Sequence, residues 1–238
     1  MLDLVNSLWT HSESRTPTSP ASATSAPSDG FCNNRPVLEA RELQCKRGGR
    51  TLFRELSFSM KSGALVRIAG PNGSGKTSLL RILCGLLVPS AGEVRWEGNP
   101  IGGLREEFSR QLVYLGHAPA VKGDLSASEN LGTACTLAGL PASKQAVAAA
   151  LERFGVNPDA TPVRKLSQGQ RRRVVLARLA LSEAVPLWLL DEPLSALDTH
   201  GIGVLNDCLE KHLKKGGAIA FTTHQEPDVV ATQRVNLG

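Results

Sequence analysis

The 238-residue chain predicts an α/β fold: a parallel sheet with flanking helices and an inserted helical subdomain near residues 118–180. Leu65 to Ala69 and Leu187 to Leu190 are brief apolar runs bounded by turn residues, as parallel strands buried on both faces are. Longer stretches with apolar residues at helical spacing lie between them. A further strand is expected at Ala218 to Thr222.

In chain order, residues 1–36 hold 15 Ser, Thr or Pro and little apolar patterning, so they read as a disordered tail ahead of one domain spanning 37–238. Asp3 in place of a basic start and the lack of a long apolar core disfavour a secretory signal, and the tail is poor in Arg for an organellar transit peptide. After the strand at Leu65, a helix is expected over Ser78 to Leu87. In the insertion, Ser126 and Glu129 form a capping box ahead of Leu131, and Ala142 to Phe154 keeps helical spacing until Gly155 stops it. Ser167 stands as N-cap of a helix running through Arg171, Arg172 and Arg173 to Leu181.

Composition narrows the class. Hydrophobic residues make up 41% and charged residues 21%, near the globular average. No apolar stretch reaches the ~18 residues a spanning helix needs, since Arg178 and Glu183 interrupt the longest candidate and Pro186 follows. A net charge of +5 favours an anionic partner without choosing among nucleotide, nucleic acid and lipid. The five cysteines are scattered and include no C-x-x-C, so they read as thiols in a reducing cytosol.

The strongest motif is Gly70-Pro71-Asn72-Gly73-Ser74-Gly75-Lys76-Thr77, with Ser78 following. It satisfies G-x-x-x-x-G-K-[ST] between a strand and a helix. Glycines let consecutive N–H groups meet phosphate oxygens, and the next helix adds its positive end. Lys76 is expected to reach the β- and γ-phosphates of ATP and Thr77 to hold Mg²⁺. Leu187 to Leu190 ends in Asp191 and Glu192, acids costly to bury without a nearby cation. Asp191 fits the metal-side acid of phosphoryl transfer, and Glu192 the group that polarises an attacking water.

Arg171 to Arg173 and Lys211, Lys214 and Lys215 can also be read as a nucleic-acid or lipid patch. Charge on a helix face is usually solvated, and aromatics are only 4% of the chain, so a base-stacking platform is lacking. No nucleic acid is expected.

Leu166-Ser167-Gln168-Gly169-Gln170 completes the pattern. In this order the motifs resemble the nucleotide-binding subunit of an ABC transporter, with Leu166 to Gln170 similar to the LSGGQ signature. Ser195-Ala196-Leu197-Asp198 resembles the D-loop and His224 the switch histidine. The resemblance implies a homodimer with ATP, in which Ser167 and Gly169 contact the γ-phosphate held by the opposite chain. It also implies that Glu192 activates water and His224 senses the γ-phosphate.

At two positions the sequence departs from the general ABC pattern. Arg47 stands where an aromatic residue usually stacks on adenine; a planar guanidinium also stacks on a base, and an ordinary solvated Arg beside Lys46 is the alternative. His117, in Leu115-Gly116-His117-Ala118-Pro119, replaces the Q-loop glutamine and offers its polar tip to Mg²⁺-linked water or to coupling with a partner. Both are normal in the CcmA family of cytochrome c maturation ATPases, which the chain resembles further in Thr51 to Phe58, Leu125 to Leu131 and Gly216-Gly217.

That resemblance implies a peripheral ATPase at the cytoplasmic face of the cell inner membrane, partnered by polytopic subunits like CcmB and CcmC that handle the haem. Its hydrolysis would power haem export or release of a haem-loaded chaperone. The alternative is the ATPase of another ABC exporter. A chromosome or translation ATPase would need a coiled coil or a second cassette, and the roughly 90 residues between Lys76 and Ser167 leave room for neither. A small P-loop GTPase would carry N-K-x-D, which is absent.

Overall fold

The computed structural model describes residues 37–140, 142–158, 161–223 and 229–237. The tail expected over 1–36 lies outside them.

Leu38–Arg47 (β1) and Arg50–Met60 (β2) form a hairpin, followed by Leu65–Ala69 (β3) and the helix Lys76–Leu83 (α1). Ala91–Trp96 (β4) and Asn99–Pro100 (β5) come next, then Arg105–Arg110 (α2) and Leu112–Leu115 (β6). The insertion carries Ala127–Leu137 (α3), Lys144–Arg153 (α4) and Gln168–Ala180 (α5). Leu187–Asp191 (β7), Thr199–Lys214 (α6), Ala218–Thr222 (β8) and Gln233–Asn236 (β9) complete the chain.

The central sheet is parallel, in the order β6-β7-β8-β3-β9. Every residue of β7 and β8 is buried, which is why these strands read as unbroken apolar runs. Their alternate side chains feed two cores. Trp188, Leu190, Ile219 and Phe221 pack with the helices of the insertion, whereas Leu187, Leu189, Ala218 and Ala220 pack with α1 and the hairpin.

A second, antiparallel sheet runs β2-β1-β4-β5, and the sequence reading did not foresee it. Its strands are half-exposed, and the β1–β2 register slips between Ala40 and Leu43 and again before Cys45 and Lys46, which breaks the two-residue alternation that marks a strand. The helix expected over Ser78 to Leu87 begins earlier, at Lys76, and ends at Leu83, where Gly85 turns left-handed at φ 75°.

Within the insertion the Ser126–Glu129 capping box is present, and α4 stops before Gly155. Residues 118–126 are not helical. The buried Asn130 side chain organises them by accepting from the Lys122 N–H at 2.7 Å and donating to the carbonyls of Lys122 and Ser126 at 3.0 and 2.9 Å. Among the described residues no helix is long and apolar enough to cross a membrane.

His212 on α6 stacks on Trp188 with ring centroids 3.8 Å apart. Desolvation pulls its pKa down to about 4, against the raising influence of the Ala218 and Pro186 main chain and of Glu183, while Lys215 lowers it further. As pH falls from about 6.5 to about 4, the unfolded chain takes up a proton that the folded chain refuses. Stability from this group is therefore complete above that window and lost as pH falls through it. The melting temperature should fall over this range in wild type, and the corresponding part of the slope should be missing from His212→Leu.

Candidate functional site

The loop after β3 leads straight into α1, and Gly75 at the helix start has φ 102°. A Cβ there would lie 3.1 Å from Leu52 Cβ and 3.2 Å from the Phe53 ring, so both the turn and the close approach require glycine. No side chain caps α1. Its first N–H groups are left to an anion, at the positive end of the helix. The buried Lys76 donates from Nζ to the carbonyls of Gly70 and Pro71, at 2.9 and 3.1 Å, which places its ammonium within the loop.

The acids at the end of β7 are set by its neighbour β8. Asp191 is 1% exposed; its Oδ1 accepts from the Thr222 hydroxyl at 2.7 Å, and its buried Oδ2 has no hydrogen-bond partner. Glu192 has φ 50°, a strained value for a residue with a side chain. Its N–H donates to Thr222 Oγ1 at 2.9 Å and to the Thr222 carbonyl at 3.1 Å, which pins the turn. Thr222→Val keeps the shape but removes the hydroxyl from both acids. It should destabilise the fold by about 1–3 kcal/mol, read as a drop of roughly 2–4 °C in melting temperature per kcal/mol.

A cavity of about 420 Å³ brings Asn72, Gly73, Gly75, Lys76, Thr77 and Ser78 together with Asp191, Glu192 and His117. Leu52 of β2 joins them, a residue that sequence reasoning had not assigned to the site. Gly70, Pro71 and Ser74 shape the loop without lining the cavity, and Arg47 lies exposed at the end of β1, opposite Arg50. His224 lies outside the described residues.

Ser167 and Gly169 are also absent from this cavity's lining. Ser167 caps α5: its Oγ accepts from the Gln170 N–H at 3.1 Å, while Gln170 Oε1 accepts from the Ser167 N–H at 2.9 Å. A Cβ on Gly169 would come within 2.7 Å of the Ala196 carbonyl, so the start of α5 lies directly against residues 195–198. Arg173 reinforces that contact through Asp198 at 3.7 Å.

The basic patch weighed from sequence does not form as a single face. Arg172 is 3% exposed, and three consecutive residues on a helix span too wide an arc to share one face. Lys211 and Lys215 both pair with Glu183 at 2.6 Å, and Lys214 pairs with Glu210 at 3.0 Å.

The fold and the phosphate loop opposite two acids define a nucleotide-binding ATPase, and residues 53–195 match the family model described as ABC transporter. An ATP-binding protein of an ABC transporter from Pyrococcus furiosus superposes with a TM-score of 0.72 at 27% identity, covering 84% of this chain and 96% of that one. A dimeric ATP-binding cassette bound to ADP and Pi, 24% identical, shares the fold with a TM-score of 0.67 over 79% of this chain and 88% of that one.

Two further relatives carry the name cytochrome c biogenesis ATP-binding export protein CcmA. The one from Aromatoleum aromaticum is 53% identical over 80% of this chain and 90% of its own length, and the one from Nitrosospira multiformis 47% identical over 85% and 99%. The chain belongs to the ABC transporter family, in the branch of the CcmA proteins. It is an ATP-binding, ATP-hydrolysing subunit.

Proposed function

We propose that the chain hydrolyses ATP to power haem export, or the release of a haem-loaded chaperone, in cytochrome c maturation, as a peripheral subunit at the cytoplasmic face of the inner membrane. The observation that carries this reading is the 53% identity to a CcmA protein across nine-tenths of that relative.

The site's own residues supply the chemistry. The N–H groups at the start of α1 and Lys76 bind the phosphates, Glu192 takes a proton from the attacking water, and His224 senses the γ-phosphate. Thr77 and Asp191 suit Mg²⁺: both offer oxygen, and the buried Oδ2 of Asp191, beside the cavity, is an acceptor awaiting a cation. When bound, Mg²⁺ neutralises charge on the phosphates. His117 lines the same cavity, where its polar tip would reach water on that ion. Arg47, exposed at the end of β1, is the hairpin residue whose planar guanidinium would stack on adenine.

Ser167 and Gly169 lie apart from the chain's own cavity lining, which suits a role at the site of a second copy. Two chains related by a twofold axis would complete both sites. Contacts made only when closed let ATP shift the open and closed populations. For a membrane partner this chain offers a separate groove of about 770 Å³ that takes in Leu86 and Leu137, 69% and 84% exposed, and reaches Gly116 beside His117. An apolar segment of a polytopic subunit docked there would touch the His117 loop from behind.

Deleting the gene and measuring covalently bound haem in periplasmic c-type cytochromes tests the assignment. Loss of that haem, restored by the wild-type gene, is expected. Unchanged haem in a cell without a second copy would make the protein the ATPase of another exporter.

A further inference from the structure

Arg172, one of three consecutive arginines on α5, is used by none of the steps above. Its guanidinium is buried at 3% exposure and its two terminal nitrogens meet four main-chain carbonyls from two separate loops. One nitrogen donates to Gly116 at 2.8 Å and His117 at 3.3 Å. The other donates to Asp191 and to Glu192, both at 2.8 Å. These loops are 55 and 20 residues away in sequence, and both border the nucleotide cavity.

We propose that Arg172 is a positioning residue that fixes the His117 loop and the Asp191–Glu192 turn to each other and to the signature helix α5. Three physical points support this. A buried guanidinium that leaves Nε without a partner is expensive, and carbonyl dipoles together with the nearby charges of Asp191 and Glu192 are what offset the cost. The planar fork can serve two loops at once, whereas the compact ammonium of lysine serves one point. Finally, Glu192 sits in a strained left-handed conformation, held at its N–H by Thr222 and at its carbonyl by Arg172, so the general base is gripped on both sides.

The same helix begins at Ser167. Resting on the dimer reading above, a second copy's nucleotide pressed on Ser167 and Gly169 would move α5 and, through Arg172, reset this chain's own Glu192 and His117.

The test uses the full chain and its Arg172→Lys and Arg172→Met variants. ATP affinity is measured in EDTA, kcat and KM with Mg²⁺, and amide hydrogen exchange across the chain. Both variants should bind ATP within about threefold of wild type while kcat falls roughly tenfold to a hundredfold, the size expected when reacting groups are misplaced by about an ångström. Exchange should rise at residues 116–118 and 191–195 and stay unchanged through 70–80.

Full kcat in Arg172→Lys would mean that charge alone suffices and would overturn the proposal. Exchange unchanged at those two loops would overturn it as well. Exchange raised throughout the chain, with affinity lost in step, would mark Arg172 as mere core packing. The exchange readout does not depend on Glu192 being the base, so normal turnover in Glu192→Gln would remove the catalytic reading above and leave this result interpretable.

Discussion

Glu192→Gln should bind ATP as wild type does, turn it over about a hundredfold more slowly or worse, and accumulate as an ATP-bound dimer. The magnitude is that of losing a group that accepts a proton in the transition state. The structure explains why the effect should be confined to chemistry. Thr222 and Arg172 hold Glu192 by its main chain, through its N–H and its carbonyl, so exchanging the carboxylate for an amide leaves the strained turn intact. Steady-state turnover read beside size-exclusion mass with ATP and Mg²⁺ checks both halves. Wild-type turnover would mean that Glu192 is not the base.

Lys76→Ala should weaken ATP binding roughly tenfold to a hundredfold or more, since hydrogen bonds to charged groups contribute about 1.5–3 kcal/mol each. The substitution also removes the two bonds by which Lys76 ties the carbonyls of Gly70 and Pro71. The loop would then lose its cation and part of its shape together. Equilibrium binding of ATP in EDTA measures this, and affinity within twofold of wild type would show that the lysine does not reach the phosphates.

The two assignments differ in how readily the sequence exposes them. Lys76 is legible because the spacing of the phosphate loop is itself the chemistry: glycines, lysine and threonine are consecutive and act as one unit. Asp191 and Glu192 are legible because an apolar strand that ends in two acids poses an electrostatic question that a bound cation would answer. The strands at 65, 187 and 218 were equally plain, since burial on both faces leaves no polar alternation to confuse them.

Thr222 and Arg172 were not legible, for a shared reason. Each acts across a long stretch of chain, and five of the groups they hold are backbone, four carbonyls and an N–H, which carry no side-chain signature. In the sequence Arg172 reads as part of a solvated basic run, although helical geometry already forbids three consecutive residues from facing one way. The antiparallel sheet was missed because bulges in β1 break its alternation and β2 is mostly exposed on one side. His117 stands out in the sequence as a departure from the general pattern, and in the structure it lines the nucleotide cavity with Lys76 and Glu192.

The central claim is that hydrolysis at Glu192 drives cytochrome c maturation. The measurement that tests it most directly is covalently bound haem in periplasmic c-type cytochromes, in a strain lacking the gene and supplied with Glu192→Gln at the wild-type protein level. The account predicts that haem attachment stays at the level of the deletion strain while wild type restores it. Restoration by Glu192→Gln would contradict it.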